Sequence, residues 1–134
     1  MGYTHTTKVG RFTVTDGGLC SPVRALEDGT PVFSYEQVAE LERRAAITVL
    51  RDIELVQGEE FKFARKALDM SQPELAAYLG VAEETVSRWE NGREAFKRPV
   101  QLALLGLLEA VNHGAVLSAP KQPRAEQDFH LRVA

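Results

Sequence analysis

Residues Ser71 to Gly92 restrict this chain more than any other stretch. Ser71 with Glu74 three places on makes a capping box, in which two side chains satisfy otherwise orphan backbone donors and mark a helix start. Pro73 is tolerated there because first-turn N–H groups are largely unpaired. Leu75, Ala76 and Leu79 follow at helical spacing and should face inward. Gly80 suits a turn at positive φ, and Val81 plugs it. A second helix then runs from Ala82 to Glu90, with Val86 and Trp89 buried, and Asn91-Gly92 ends it. Ala76 leaves room for two helices to cross closely. Around this pair, from Glu59 to Val111, the pattern is four or five short helices joined by tight turns, the first lined by Phe61, Ala64 and Leu68.

The run Ser71-Gln72-x-x-Leu75-Ala76-x-x-x-Gly80-Val81-x-x-x-x-Val86-Ser87-x-Trp89-Glu90-Asn91-Gly92 resembles the Xre/Cro type of helix-turn-helix. The wider stretch from Gly58-Glu59-Glu60-Phe61 to Pro99 is similar to the C-terminal domain of MqsA-type antitoxins. Tyr35 to Arg44 resembles the linker helix of that family. The resemblance implies a repressor-type fold, double-stranded DNA as partner, and a toxin protein as a further partner. It also implies a phosphate contact by Gln72 at a helix N-terminus, where the helix dipole favours an anion. A pairing of Arg65 with Glu90 is implied in the same way, which would make both structural.

In such a motif the second helix enters the major groove. With Val86 and Trp89 inward, helical geometry turns Glu83, Glu84, Thr85 and Arg88 outward as candidate base readers. Arg88 can fork onto guanine O6 and N7, Glu84 can accept from cytosine N4, and Thr85 can touch a thymine methyl or a phosphate. Asn91, Arg93, Lys97 and Arg98 are the remaining backbone candidates. A blander reading stands beside this one: two glutamates in a first turn complement the helix dipole, and Ala82 is a poor cap that they would offset.

The formal charge of −3 on 134 residues at first argues against a nucleic-acid partner. Screening, however, makes the contacting face matter more than the sum. Arg88, Arg93, Lys97 and Arg98 fall within eleven positions, opposed there by Glu90 and Glu94. The acidic balance predicts weak non-specific binding.

Upstream, residues 1–33 read as a small extended, β-like region. Arg11 to Thr15 alternates polar and apolar, Asp16-Gly17-Gly18 supplies a turn, and Asp28-Gly29 a second. So short a region must lean on the rest of the chain or on a partner. Ser34 with Gln37 is another capping box and opens a linker helix within 34–57, with Val38, Leu41, Ala45 and Thr48/Val49 on one face and Gly58 punctuating its end. Residues 58–112 hold the helix-turn-helix domain, and 113–134, with Pro120 and Pro123, read as a tail. The fold expected is mainly α: a five-helix repressor-type domain with a linker helix and a small β-like N-terminal region.

No catalytic constellation is visible, so no enzyme and no cofactor are expected. His5, His113 and His130 are scattered, and the glycine-containing turns match neither a dinucleotide nor a P-loop pattern. MqsA-type antitoxins usually carry an N-terminal zinc site built on two Cys-x-x-Cys pairs. This chain has the single Cys20, which with His5 cannot complete a four-ligand shell, so no metal is expected. One cysteine, no signal-like N-terminus and no apolar run of about 18–20 residues predict a cytoplasmic protein without a membrane partner.

The last helix carries the partner signal. From Pro99, Val100, Leu102, Ala103, Leu104, Leu105, Leu107, Leu108, Ala110 and Val111 cover almost the whole circumference. A helix apolar all round is buried on more than one side. Either a second copy covers the far face, through Leu102, Leu105 and Leu108, or the helix at 34–52 or the tail folds back over it. The first alternative makes a homodimer reading an inverted-repeat operator as a transcriptional repressor, in the antitoxin reading of its own operon. The rival function is a protein-interaction module that keeps this fold while residues 1–57 bind and neutralise a partner.

Overall fold

The computed structural model describes residues 4–17 and 21–117. Cys20, His130 and the tail from 118 onward lie outside the described residues. The order is β1 (Thr4–Val9), β2 (Phe12–Gly17), β3 (Arg24–Ala25), β4 (Pro31–Val32), α1 (Tyr35–Asp52), α2 (Gly58–Ala67), α3 (Gln72–Leu79), α4 (Glu83–Glu90) and α5 (Arg98–Asn112). The fold is mainly α, as the sequence predicts. The five helices include α1: the segment expected as a linker packs against α2 and α5 and is part of one shared core.

The N-terminal region leans on the helices. β1 and β2 pair antiparallel from Thr4 opposite Gly17 to Val9 opposite Phe12. The reversal is therefore at Gly10-Arg11, with Gly10 at φ +56°. Asp16 and Gly17, expected to begin a turn, are instead the last residues of β2, because β1 extends far enough back to pair with them. The second expected turn is present: Gly29, at φ +88°, donates to the Leu26 carbonyl between β3 and β4. Alternation puts Val9, Phe12 and Val14 toward the core, and Asp16 pairs with Arg44 of α1 at 3.2 Å.

One carboxylate pins the hairpin turn. Glu60 in α2 is fully buried, and its Oε2 accepts the Arg11 backbone N–H at 2.9 Å. Its Oε1 accepts from Arg11 Nη2 at 3.1 Å and from the Gln57 N–H at 2.9 Å, closing the cap of α2. Burial alone would raise this carboxyl's pKa. The donations from the Arg11 side chain and from the Gln57 and Arg11 backbones outweigh it and hold the group below its ordinary value. Glycine is favoured at position 10 by its φ of +56°, and a Cβ there would also displace the end of the Glu60 side chain.

Both predicted capping boxes form, at Ser34/Gln37 and Ser71/Glu74. The expected face of α1 is inward at Leu41, Ala45 and Val49, and widens to Ala46, Ile47 and Leu50. Gly58, expected to end that helix, is the first residue of α2. A glycine is needed there for a different reason: a Cβ would overlap the carbonyls of Trp89 and Glu90, where α2 begins against the end of α4.

α1 in fact ends at Asp52 because α5 closes it. Gln101, fully buried, donates Nε2 to the carbonyls of Leu50 (2.9 Å) and Ile53 (2.8 Å). Its Oε1 accepts the Val56 N–H at 2.9 Å. Arg98 Nη1 reaches the same helix end, 2.9 Å from the Ile53 carbonyl and close to that of Glu54. Two side chains one turn apart thus satisfy the C-terminal carbonyls that a helix leaves unpaired.

Gln101, Leu104 and Leu108 form the buried stripe of α5, and α1 packs against it. Of the two covers foreseen for this helix, the fold supplies the helix at 34–52. Leu108, expected on a surface shared with a second copy, is therefore wholly inside the chain's own core. Leu102 is 47% exposed and Leu105 is half-buried.

Candidate nucleic-acid interface

The pair α3–α4 is built on local rules. Ser71 and Glu74 cap α3, and their mutual hydrogen bonds, backbone first, hold the Glu74 carboxyl below its ordinary pKa. Gly80, at φ +70°, ends the helix in the left-handed region and donates to the Ala76 carbonyl. α4 starts after Ala82, which supplies no side-chain cap. Glu83 and Glu84 occupy its first turn.

Burial then fixes how α4 is rolled. Val86 is fully buried and Trp89 nearly so. Trp89 meets Phe61 edge-on at 5.7 Å and Phe96 at 6.2 Å, and Phe61 and Phe96 lie 5.1 Å apart, a three-ring cluster drawn from α2, α4 and the loop before α5. Beneath the last turn, Glu90 accepts from Arg65 at 2.6 and 3.1 Å and from Gln72 Nε2 at 3.0 Å. Arg65 also donates to the Met70 carbonyl at 2.8 Å. The Arg65–Glu90 pairing implied by the resemblance is present, and both residues are buried.

The opposite face carries the expected readers. Glu83, Glu84 and Arg88 are exposed and Thr85 is half-buried. Arg88 is not slack: Nε donates to Glu94 at 3.1 Å and Nη2 to Thr85 Oγ1 at 3.3 Å. Asn91 and Arg93 are exposed directly after α4, Asn91 with its amide on Ser87 Oγ, and Lys97 is exposed at the cap of α5. Two expected phosphate contacts sit differently. Gln72 turns its amide inward to Glu90, and Arg98 places Nη1 on the carbonyls at the end of α1. Arg98 caps the end of α1 in this structure, because the α1 carbonyls offer a partner inside the fold.

Residues 61–108 match the family described as Helix-turn-helix. This segment is an Xre-type helix-turn-helix domain. The matched span runs from Phe61 in α2 to Leu108 in α5, so both the aromatic cluster and the α3–α4 pair lie inside the helix-turn-helix domain. That family is one of DNA-binding regulatory domains rather than enzymes. No curated protein and no solved structure matches the chain.

Outside this domain the chemistry is sparse. Among the described residues no group of three or more His, Cys, Asp or Glu is placed to hold a metal ion. His5 stacks edge-on against Phe33 at 5.7 Å and is bonded to Thr7 at 3.2 Å. Among the described residues no helix is long and apolar enough to cross a membrane.

Sequence reasoning missed Gln101, Glu60 and the role of Glu94. Gln101 had a signal, a lone amide in the otherwise apolar run from Pro99 to Leu105. Glu60 had none, since Glu59-Glu60 at a helix start is ordinary dipole complement.

Proposed function

We propose that α4 enters the major groove of double-stranded DNA and that the chain is a sequence-specific transcriptional regulator, a repressor binding an inverted repeat as a homodimer. The observation that carries this reading is the outward row Glu83, Glu84, Thr85 and Arg88 on a short helix whose other face is locked by Val86 and Trp89. A rigid scaffold with polar side chains of defined direction is what direct base readout requires. Arg93 and Lys97 supply phosphate contacts beside it, and Asn91 a neutral one.

The dimer is proposed through Leu102 and Leu105, which lie beside Ala103 and Gly106 on the outer side of α5. An acidic chain gains little from phosphates, so tying two readers together raises the effective concentration of the second contact. The finer reading, an autoregulating antitoxin, rests on the likeness of residues 35–44 and 58–99 to MqsA-type antitoxins. Co-purification with the product of a neighbouring gene tests it.

Selection of binding sites from random duplexes tests the DNA reading. An enriched inverted repeat, with half-site centres about 10 base pairs or twice that apart, is expected. Failure to enrich any sequence, with no shift of the gene's own promoter at low salt, would favour the protein-interaction module instead.

A further inference from the structure

Glu94, in the loop between α4 and α5, gives each carboxylate oxygen to a different partner. Oε1 accepts from Arg88 Nε at 3.1 Å and Oε2 from Trp89 Nε1 at 3.1 Å. Trp89 is packed against both Phe61 and Phe96, so its indole N–H is held in place by the aromatic cluster. The guanidinium of Arg88 is held a second time, by Thr85 Oγ1 on Nη2.

A guanidinium has five N–H donors in a planar fork. The Nε donor and one Nη2 donor are engaged here. Three remain, two on Nη1 and one on Nη2, at the outer end of the side chain. Parallel donors from two terminal nitrogens match guanine O6 and N7 in the major groove. An unrestrained arginine must surrender rotamer freedom to reach that geometry, which weakens binding. Arg88 has surrendered much of it already.

We propose that Glu94 is the positioning residue for Arg88, and that the recognised duplex carries a guanine whose discrimination depends on Glu94. This rests on the DNA-binding reading above. The ion pair is not a stability device: both side chains are nearly half exposed, at 47% and 45%, and exposed pairs contribute little to folding. Its value lies in the link from a rotating surface cation to an immobile indole. Glu94 also sets a negative charge beside the phosphates, so it weakens binding to every sequence while sharpening the choice among them.

The test uses the full chain and the duplex enriched from a random pool, with each guanine pair exchanged in turn. Wild type should lose about tenfold or more in affinity at one guanine position, and Arg88→Ala should abolish that preference. Glu94→Gln keeps an oxygen for the Trp89 indole but removes the charge that orients Arg88. It should narrow the discrimination to about twofold while tightening a scrambled duplex by about two- to threefold. The Arg88 Nε–H resonance, protected from solvent exchange in wild type, should lose that protection in Glu94→Gln without a comparable change in melting temperature. A purely structural role for Glu94 would do the reverse. Undiminished guanine discrimination in Glu94→Gln overturns the proposal. So does an equal tightening of selected and scrambled duplexes, which would make Glu94 only a competing anion. Wild type that prefers no base at any position overturns the DNA reading itself, and the two failures are thereby told apart.

Discussion

Arg65 in α2 and Glu90 at the end of α4 share two hydrogen bonds, at 2.6 and 3.1 Å, with the carboxylate almost wholly out of solvent. The pair sets the depth and roll of the reading helix from below, as Trp89 does from the side. Removing one partner leaves the other charge buried. Arg65→Met should therefore cost about 3–5 kcal/mol of unfolding free energy by chemical denaturation. The double replacement Arg65→Met/Glu90→Met should recover part of that loss, because no uncompensated charge is then left inside. Additive losses would mean that the two side chains are not coupled.

Gln101 ties α5 to the junction between α1 and α2. Gln101→Leu preserves size but leaves the Val56 N–H without its acceptor and weakens the closure of α1 at Leu50 and Ile53. A loss of about 2–4 kcal/mol in urea denaturation is expected. Exposed Lys97 replaced by alanine should change stability by less than about 0.5 kcal/mol.

Glu60 gives the fold a pH dependence on the acid side. Its folded pKa lies below the ordinary value of 4.5, so the unfolded chain binds the proton more readily. The stabilisation is complete above that ordinary value and is lost as pH falls through the lower, folded one. Melting temperature should therefore fall as pH drops below 4.5, and Glu60→Gln should flatten that fall while lowering stability at neutral pH. A Glu60→Gln profile parallel to wild type would contradict the assignment.

Leu102 and Leu108 separate surface from core on one helix. Leu108→Glu places a charge in the packed interior and should leave the chain unfolded by circular dichroism. Leu102→Glu should fold normally, sediment as a monomer and lose most affinity for an inverted repeat. A folded wild type that sediments as a monomer while protecting one asymmetric half-site would rule out the dimer.

What the sequence made legible was local. The caps at Ser34 and Ser71, the Gly80 turn and the inward pair Val86/Trp89 each depend on residues within one or two turns, and they appear as expected. The outward row on α4 follows from the same arithmetic. What escaped was set by contacts between distant segments. Arg98 looks like a phosphate ligand until the end of α1 is brought beside it. Leu102 and Leu108 are indistinguishable by type, and only the position of α1 tells which is core. β1 lies in the region read as β-like, but its bounds and partner were not legible because Thr4 to Val9 is largely polar and gains its strand from pairing with β2.

The central claim is that Arg88 reads a base whereas Arg93 only meets phosphate. A salt titration of wild type, Arg88→Ala and Arg93→Ala on the selected and scrambled duplexes tests it most directly. Arg88→Ala should lose about 1–3 kcal/mol on the selected duplex and little on the scrambled one. Arg93→Ala should weaken both alike and reduce the slope of log affinity against log salt by about one. Identical behaviour of the two variants on both duplexes across the titration would contradict the account.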